Sequence, residues 1–225
     1  MDFETEEQQL EALKRWWSEN ATMIIGGVVV GVSSIFGWQY YQDQTHQHAE
    51  KASVIYEQVF SSTQAASESD DVQLKVNQLI AEYSDTPYAS LSALVLAKQQ
   101  AAAGDYSKAQ QQLDWVVKNA QQEELKFLAK IRLARLYLSA EQHDMALSLL
   151  NETYPDSFQS MALELKGDVL VTQGKNLEAK AAYTQAQAVS DGANRWLQMK
   201  IDDIGESSID SSINLSTADT AEPSA

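Results

Sequence analysis

Residues 21–41 read Ala21-Thr-Met-Ile-Ile-Gly-Gly-Val-Val-Val-Gly-Val-Ser-Ser-Ile-Phe-Gly-Trp-Gln-Tyr-Tyr41 and carry no charge. Coiled as a helix, this run is roughly 31 Å long, about the thickness of a bilayer hydrocarbon core. A cleavable signal peptide has a basic start, a short apolar stretch and small residues at the cleavage point. Here the start is acidic, the run is too long, and Gln42-Asp-Gln-Thr-His-Gln-His48 offers no small pair. A lipoprotein needs a cysteine after the run, and the chain has 0. A buried core helix should show polar breaks, which Ile24 to Val32 lack. The expectation is one uncleaved transmembrane helix that holds a domain at a membrane.

Orientation follows the lysines and arginines that flank a span. Lys14 and Arg15 lie just before it, whereas the first basic residue beyond it is Lys51. The N-terminus is therefore expected in the cytoplasm and residues 42–225 outside. Trp16 and Trp17 at one end, and Trp38, Tyr40 and Tyr41 at the other, suit the two bilayer interfaces as anchors. Gly27 and Gly31 form a small-xxx-small pattern, with Gly26 and Gly37 nearby. Such a face lets a second membrane helix approach closely.

The whole chain holds 32 acids and 16 lysines plus arginines. Of these, 6 acids and 2 bases precede residue 42, so the remainder holds 26 and 14, a net charge of −12. That balance argues against nucleic acid or anionic lipid surfaces as partners of the outer domain. Zero cysteines excludes disulfides and zinc–thiolate sites, and suits an oxidising compartment such as a bacterial periplasm. Proline is rare, strand-like alternation is hard to find, and the domain reads as all-α.

Residues 44–67 read as one long helix continuing from the span, and Val72, Val76, Leu79, Ile80 and Tyr83 mark a second helix over 72–83. Asp85-Thr-Pro87 is a helix start, a capping side chain followed by proline in the first turn. From there the chain repeats a helix–turn–helix unit. The turns read Gly104-Asp-Tyr-Ser-Lys-Ala109, Glu141-Gln-His-Asp-Met-Ala146 and Gly174-Lys-Asn-Leu-Glu-Ala179. Twelve residues before each closing alanine stands a small residue, Ala97, Ala134 or Gly167. Four residues after it stands a large one, Leu113, Leu150 or Tyr183. The small residues let paired helices pack closely, and the large one is expected to fill the gap toward the next unit. This is the signature of a tetratricopeptide-like helical solenoid. A capping helix over 193–204, with Leu197, Ile201 and Ile204 on one face and Trp196 supplying bulk, closes the stack. Residues 206–225 read as a disordered acidic tail. The expected organisation is a cytoplasmic segment (1–20), a transmembrane helix (21–41), a helical linker with the first helices of the outer domain (42–87), repeats with their cap (88–204), and the tail (205–225).

No catalytic, metal or cofactor site stands out. His46 and His48 lack a third ligand, His143 falls in a turn, and the glycines form no phosphate loop. Asp70-Asp71, Glu123-Glu124 and Asp202-Asp203 fit helix ends or solvated faces better than a converging acid–base pair. Binding is the more plausible activity. Counting by helical geometry from Ala97, Ala134 and Gly167, the concave face is expected to present Leu91, Leu94 and Lys98, then Leu128, Ile131 and Arg135, then Met161, Glu164 and Asp168. Such a groove suits an extended or helical segment with apolar side chains. Alternatively, the helices over 44–83 or the C-terminal helix fill it from within.

The chain resembles the ancillary subunit family of the bacterial SecYEG translocon, single-pass membrane proteins with a tetratricopeptide-like domain. The resemblance is carried by Leu13-Lys-Arg-Trp-Trp-Ser-Glu-Asn20, Phe36-Gly-Trp-Gln-Tyr-Tyr41, Tyr88-Ala-Ser-Leu-Ser-Ala-Leu94, Lys130-Ile-Arg-Leu-Ala-Arg135, Lys166-Gly-Asp168 and Gln198-Met-Lys-Ile201. It covers residues from about 10 to 204 and does not extend to the tail. It implies a bacterial inner-membrane protein with a cytoplasmic N-terminus and a periplasmic domain. The implied partners are the SecYEG channel, a membrane-anchored parvulin-like periplasmic chaperone and emerging client polypeptides. A cytoplasmic stress-response regulator is implied for the short N-terminal segment. No catalytic residue and no cofactor is implied. The alternative is a scaffold of another envelope assembly, for cell division or outer-membrane biogenesis, or a regulator of an envelope stress response.

Overall fold

A computed structural model of the chain describes residues 6–64, 69–190 and 194–204, and within these there is helix but no strand. The chain divides into two compact units, Met1–Lys51 and Ala52–Ala225. The tail expected over 205–225 lies outside the described residues.

Helix α1 runs Glu6–Gln64. It carries the one stretch, among the described residues, that is long and apolar enough to cross a membrane. None of that stretch is buried against protein. Two polar side chains in and beside it bond back to the helix, which lowers the cost of a low-dielectric surrounding. The Ser34 hydroxyl donates to the Val30 carbonyl at 2.8 Å, and the Asn20 amide donates to the Trp16 carbonyl at 2.8 Å. Trp17 and Trp38 are separated along the axis by about 31 Å. A Cβ added at Gly26, Gly27, Gly31 or Gly37 would meet nothing within 4 Å, so that face is open. The helix expected over 44–67 is the continuation of α1 as far as Gln64, and residues 65–67 lie outside the description.

The second unit is built on the end of α1 followed by α2 (Ser69–Glu82) and three helix pairs. The pairs are α3 (Pro87–Ala102) with α4 (Tyr106–Asn119), α5 (Glu123–Ser139) with α6 (His143–Leu150), and α7 (Asp156–Thr172) with α8 (Asn176–Ala188). A last helix, α9, covers 195–204. Ala52 and Val59 of α1 and Val72, Val76 and Leu79 of α2 are fully buried and open the core. Asp70 and Asp71, and Glu123 and Glu124, occupy first turns, where carboxylates offset the helix dipole. Helices α3, α5 and α7 touch one another in succession, and each also packs on its own partner.

The three turns share one geometry. Gly104, Glu141 and Gly174 each adopt a positive φ, of 84°, 58° and 72°. Each donates its N–H to a carbonyl three residues back, and the next residue donates to one five back (Asp105 to Gln100, Gln142 to Tyr137, Lys175 to Leu170, at 2.8–2.9 Å). This double bond closes a helix end on a left-handed residue, a position that glycine occupies without steric cost. The closing alanines Ala109, Ala146 and Ala179 are fully buried, as the pattern predicts. Tyr183 packs on Gly167 of its own pair and also meets the capping helix, where the Lys200 ammonium sits 5.4 Å from its ring centroid.

Three local details differ from the sequence reading. Thr86 precedes α3 but does not cap it, because its hydroxyl donates back to the Tyr83 carbonyl at 2.7 Å. His143 is the first residue of α6 rather than part of a turn. Trp196 is 58% exposed, so the cap's apolar contact comes from Leu197, Ile201 and Ile204. Asn194 caps α9, its side-chain oxygen accepting from the N–H groups of Trp196 and Leu197 at 3.1 and 3.4 Å.

Candidate partner-binding groove

The first helices of the pairs place the predicted concave residues in three different environments. Leu94 and Ile131 are 2% and 1% exposed, so both hold helices together; Ile131 offers no surface, and Leu94 shows only an edge to a hollow beside it. Leu91 and Leu128 are half-buried, and Lys98 and Arg135 are exposed. In the third pair Met161 is exposed, while Glu164 and Asp168 are half-buried and occupied. Lys200 of α9 donates to Glu164 at 2.8 Å and to Asp168 at 2.6 Å, and the Tyr183 hydroxyl donates to Asp168 at 2.7 Å. Burial pulls the Lys200 ammonium down, but the bonds to Asp168 and Glu164 outweigh it and hold its pKa above the usual lysine value. Burial, then the Asp168 bond, push the Tyr183 hydroxyl well up from its ordinary range. The C-terminal helix therefore closes the acidic third of the face from within.

The first two thirds remain open. Two hollows lie along α3 and α5, of about 500 and 530 Å³, and they share Lys98, Ala102 and Arg132. Ala97, Ala101, Leu113 and Leu136 floor the first, and Tyr106 stands beside them. Leu94, Val95 and the end of α1, through Phe60 and Thr63, wall the second. Thus α1 forms one side of the groove without filling it. Lys98, Arg132 and Arg135 bring three cations to the pair of hollows, and among the described residues no aspartate or glutamate lines either.

Arg132 is the residue that the sequence count missed. Its guanidinium donates to the Leu94 carbonyl at 3.4 Å. Burial, and then the neighbouring Arg135 charge, lower its pKa from the ordinary arginine value. The signal was present in the spacing: Leu128, Arg132 and Arg135 stand at i, i+4 and i+7, as Leu91, Val95 and Lys98 do. A shift of one residue turns a side chain by about 100°, which separates Ile131 in the core from Arg132 in the groove. Among the described residues no group of three His, Asp or Glu side chains is placed to hold a metal ion.

Three helix pairs closed by equivalent left-handed turns, with a capping helix, define a tetratricopeptide-like repeat protein that also carries a long apolar helix. A family model described as "Tetratricopeptide repeat-like domain" matches residues 14–206, taking in the apolar helix as well as the repeats. Curated relatives named "Ancillary SecYEG translocon subunit" match over most of their length. The Haemophilus influenzae protein is 34% identical over 81% of this chain and 88% of its own. The Escherichia coli protein is 28% identical over 90% and 98%, and the Aggregatibacter actinomycetemcomitans protein 33% over 81% and 88%. No solved structure matches significantly. The chain belongs to the ancillary SecYEG translocon subunit family.

Proposed function

We propose that the chain is a non-enzymatic accessory subunit of a SecYEG-type translocon in a bacterial inner membrane. The observation that carries this reading is the likeness, over apolar helix and repeats together, to relatives that are named as ancillary subunits of that translocon. In this reading residues 21–41 cross the membrane with the N-terminus in the cytoplasm, and residues 42–225 lie in the periplasm. Lys14 and Arg15 before the span, against none until Lys51 after it, support the direction. The open glycine face at Gly27 and Gly31 docks on a membrane helix of the channel, since small side chains permit close backbone approach. The open groove of the first two repeats takes a partner segment, from a membrane-anchored parvulin-like chaperone or from the emerging polypeptide. Exposed, unfilled grooves along stacked helices are the usual partner surfaces of solenoids.

Photo-crosslinkers placed at Gly27 and Gly31, and separately at Lys98 and Arg135, test both halves in intact membranes. The expected products are a crosslink to a channel subunit from the span and to a chaperone or nascent chain from the groove. Crosslinks from both faces to a cell-division or outer-membrane assembly component, with none to the channel, overturn the reading in favour of a scaffold there.

A further inference from the structure

The groove has a chemical preference of its own. Outside the first 41 residues the chain carries a net charge of −12, yet three cations converge on two adjoining hollows that, among the described residues, no carboxylate lines. Five lysines of this unit (Lys75, Lys108, Lys126, Lys130 and Lys200) are paired with acids. Among the described residues Lys98, Arg132 and Arg135 have no such pair; nor do Lys118, Lys166, Lys175, Lys180 and Arg195, but none of those lines the two hollows. Arg132 and Arg135 are one turn apart on α5, so their like charges repel unless an anion lies between them. Arg132 is also half-buried, with one long bond to a carbonyl, and a half-buried guanidinium without an anion is costly. A guanidinium presents a planar fork of donors that matches a carboxylate. Between the cations the floor is alanine and leucine, and Phe60 and Tyr106 stand half-exposed beside it.

We propose that this groove is a docking site for a short acidic polypeptide segment of a partner protein. Its carboxylates lie against Lys98, Arg132 and Arg135, and an apolar side chain rests on the floor. The proposal deepens the reading above and rests on it, because it takes the repeat unit to be a partner-capturing surface. Charge complementarity selects the occupant: a local cationic patch in an acidic surround admits a short acidic segment and repels an extended polyanionic surface.

The test uses the full chain in phosphatidylcholine nanodiscs and two fluorescent helical peptides. One has three glutamates on one face and two leucines on the other, and the second replaces each glutamate with glutamine. The acidic peptide is expected to bind about tenfold more tightly, and to weaken as salt is raised. The Lys98→Glu/Arg135→Glu variant is expected to abolish that preference; both side chains are exposed, so its fold is retained, as an unchanged circular dichroism melt confirms. Equal binding of the two peptides overturns the proposal, as does a preference that survives the double charge reversal. Acidic-peptide binding that disappears in phosphatidylglycerol nanodiscs overturns it in favour of a lipid headgroup. A photo-crosslinker at Tyr106 that captures residues 205–225 of the same chain overturns it in favour of an internal occupant. Co-purification of the wild-type chain with the channel is scored separately. Its absence sinks the translocon reading while the groove's discrimination between peptides still stands.

Discussion

The Tyr183 ring lies across Gly167 so closely that a Cβ at 167 would stand 2.3 Å from Cε1. The ring is held there, since its hydroxyl donates to Asp168 at 2.7 Å and the Lys200 ammonium sits 5.4 Å from its centroid. At the same two positions the earlier pairs carry Ala97 with Leu113, and Ala134 with Leu150. A smaller residue in the first helix thus accompanies a larger one in the second. Gly167→Ala is expected to destabilise by about 2 kcal/mol, overpacking outweighing the gain in helix propensity. Adding Tyr183→Leu, which restores the pairing of the other repeats, is expected to recover at least about 1 kcal/mol despite the lost bond to Asp168. Urea unfolding followed by circular dichroism measures both. A neutral Gly167→Ala would show that the ring can swing away.

Glu141 holds the turn position that glycine holds in the other two repeats, at φ 58°. A side chain there costs about 1–2 kcal/mol, part of which returns because glycine is more mobile when unfolded. Glu141→Gly is therefore expected to stabilise by about 0.5–1 kcal/mol. Gly104→Ala and Gly174→Ala are expected to destabilise by about 1 kcal/mol each. An added Cβ meets nothing within 4 Å at either, so the loss is purely conformational. A stabilising alanine at either position would refute the shared turn geometry.

These turns also mark what the sequence could and could not carry. Repeat spacing located each turn, including the one at Glu141, because alanine and leucine recur at fixed distances from it whether or not glycine is present. Helix identity was legible for the same reason. Register within a helix was not: Leu94 and Ile131 looked suited to a groove because they are apolar, and apolar residues are also what the core takes. Arg132 escaped because it adjoins Ile131, and choosing between adjacent positions requires knowing which neighbour each faces. The closing of Glu164 and Asp168 by Lys200 joins residues 32 and 36 apart in sequence, and no local pattern encodes such a contact. Trp196 misled through its size, whereas its exposure was set by Leu197 taking the inward position.

Ser90 and Ser92 sit in α3 with 1% and 0% exposure, and neither hydroxyl has a hydrogen-bond partner among the described residues. A buried polar group left unpaired costs about 1–3 kcal/mol, and alanine has the better helix propensity. Ser90→Ala and Ser92→Ala are each expected to stabilise by about 1 kcal/mol, seen as a raised urea midpoint with an unchanged slope. A loss of stability would instead place a bound water at the hydroxyl, since removing its partners leaves it stranded.

Alkali should loosen the repeat unit, and Tyr154 accounts for a separable share of that loss. Burial, then the nearby Glu152 carboxylate, push the Tyr154 hydroxyl up to about 12. In the unfolded chain it titrates near its ordinary value of about 10. Between those two values the unfolded state binds fewer protons, so stability falls as pH rises. Lys200, whose pKa is raised by Asp168 and Glu164 against the pull of burial, has the same sign: its contribution is complete below the unfolded lysine value and is lost above the folded one. Tyr154→Phe costs about 1 kcal/mol at neutral pH, because the hydroxyl donates to the Leu149 carbonyl at 3.2 Å. Its stability should then fall by about 1–2 kcal/mol less than that of the unaltered chain between about pH 8 and about pH 11. Comparing the two proteins removes the general effect of rising negative charge, which both share. Equal losses in the urea midpoint would show that Tyr154 contributes nothing to the alkaline loss.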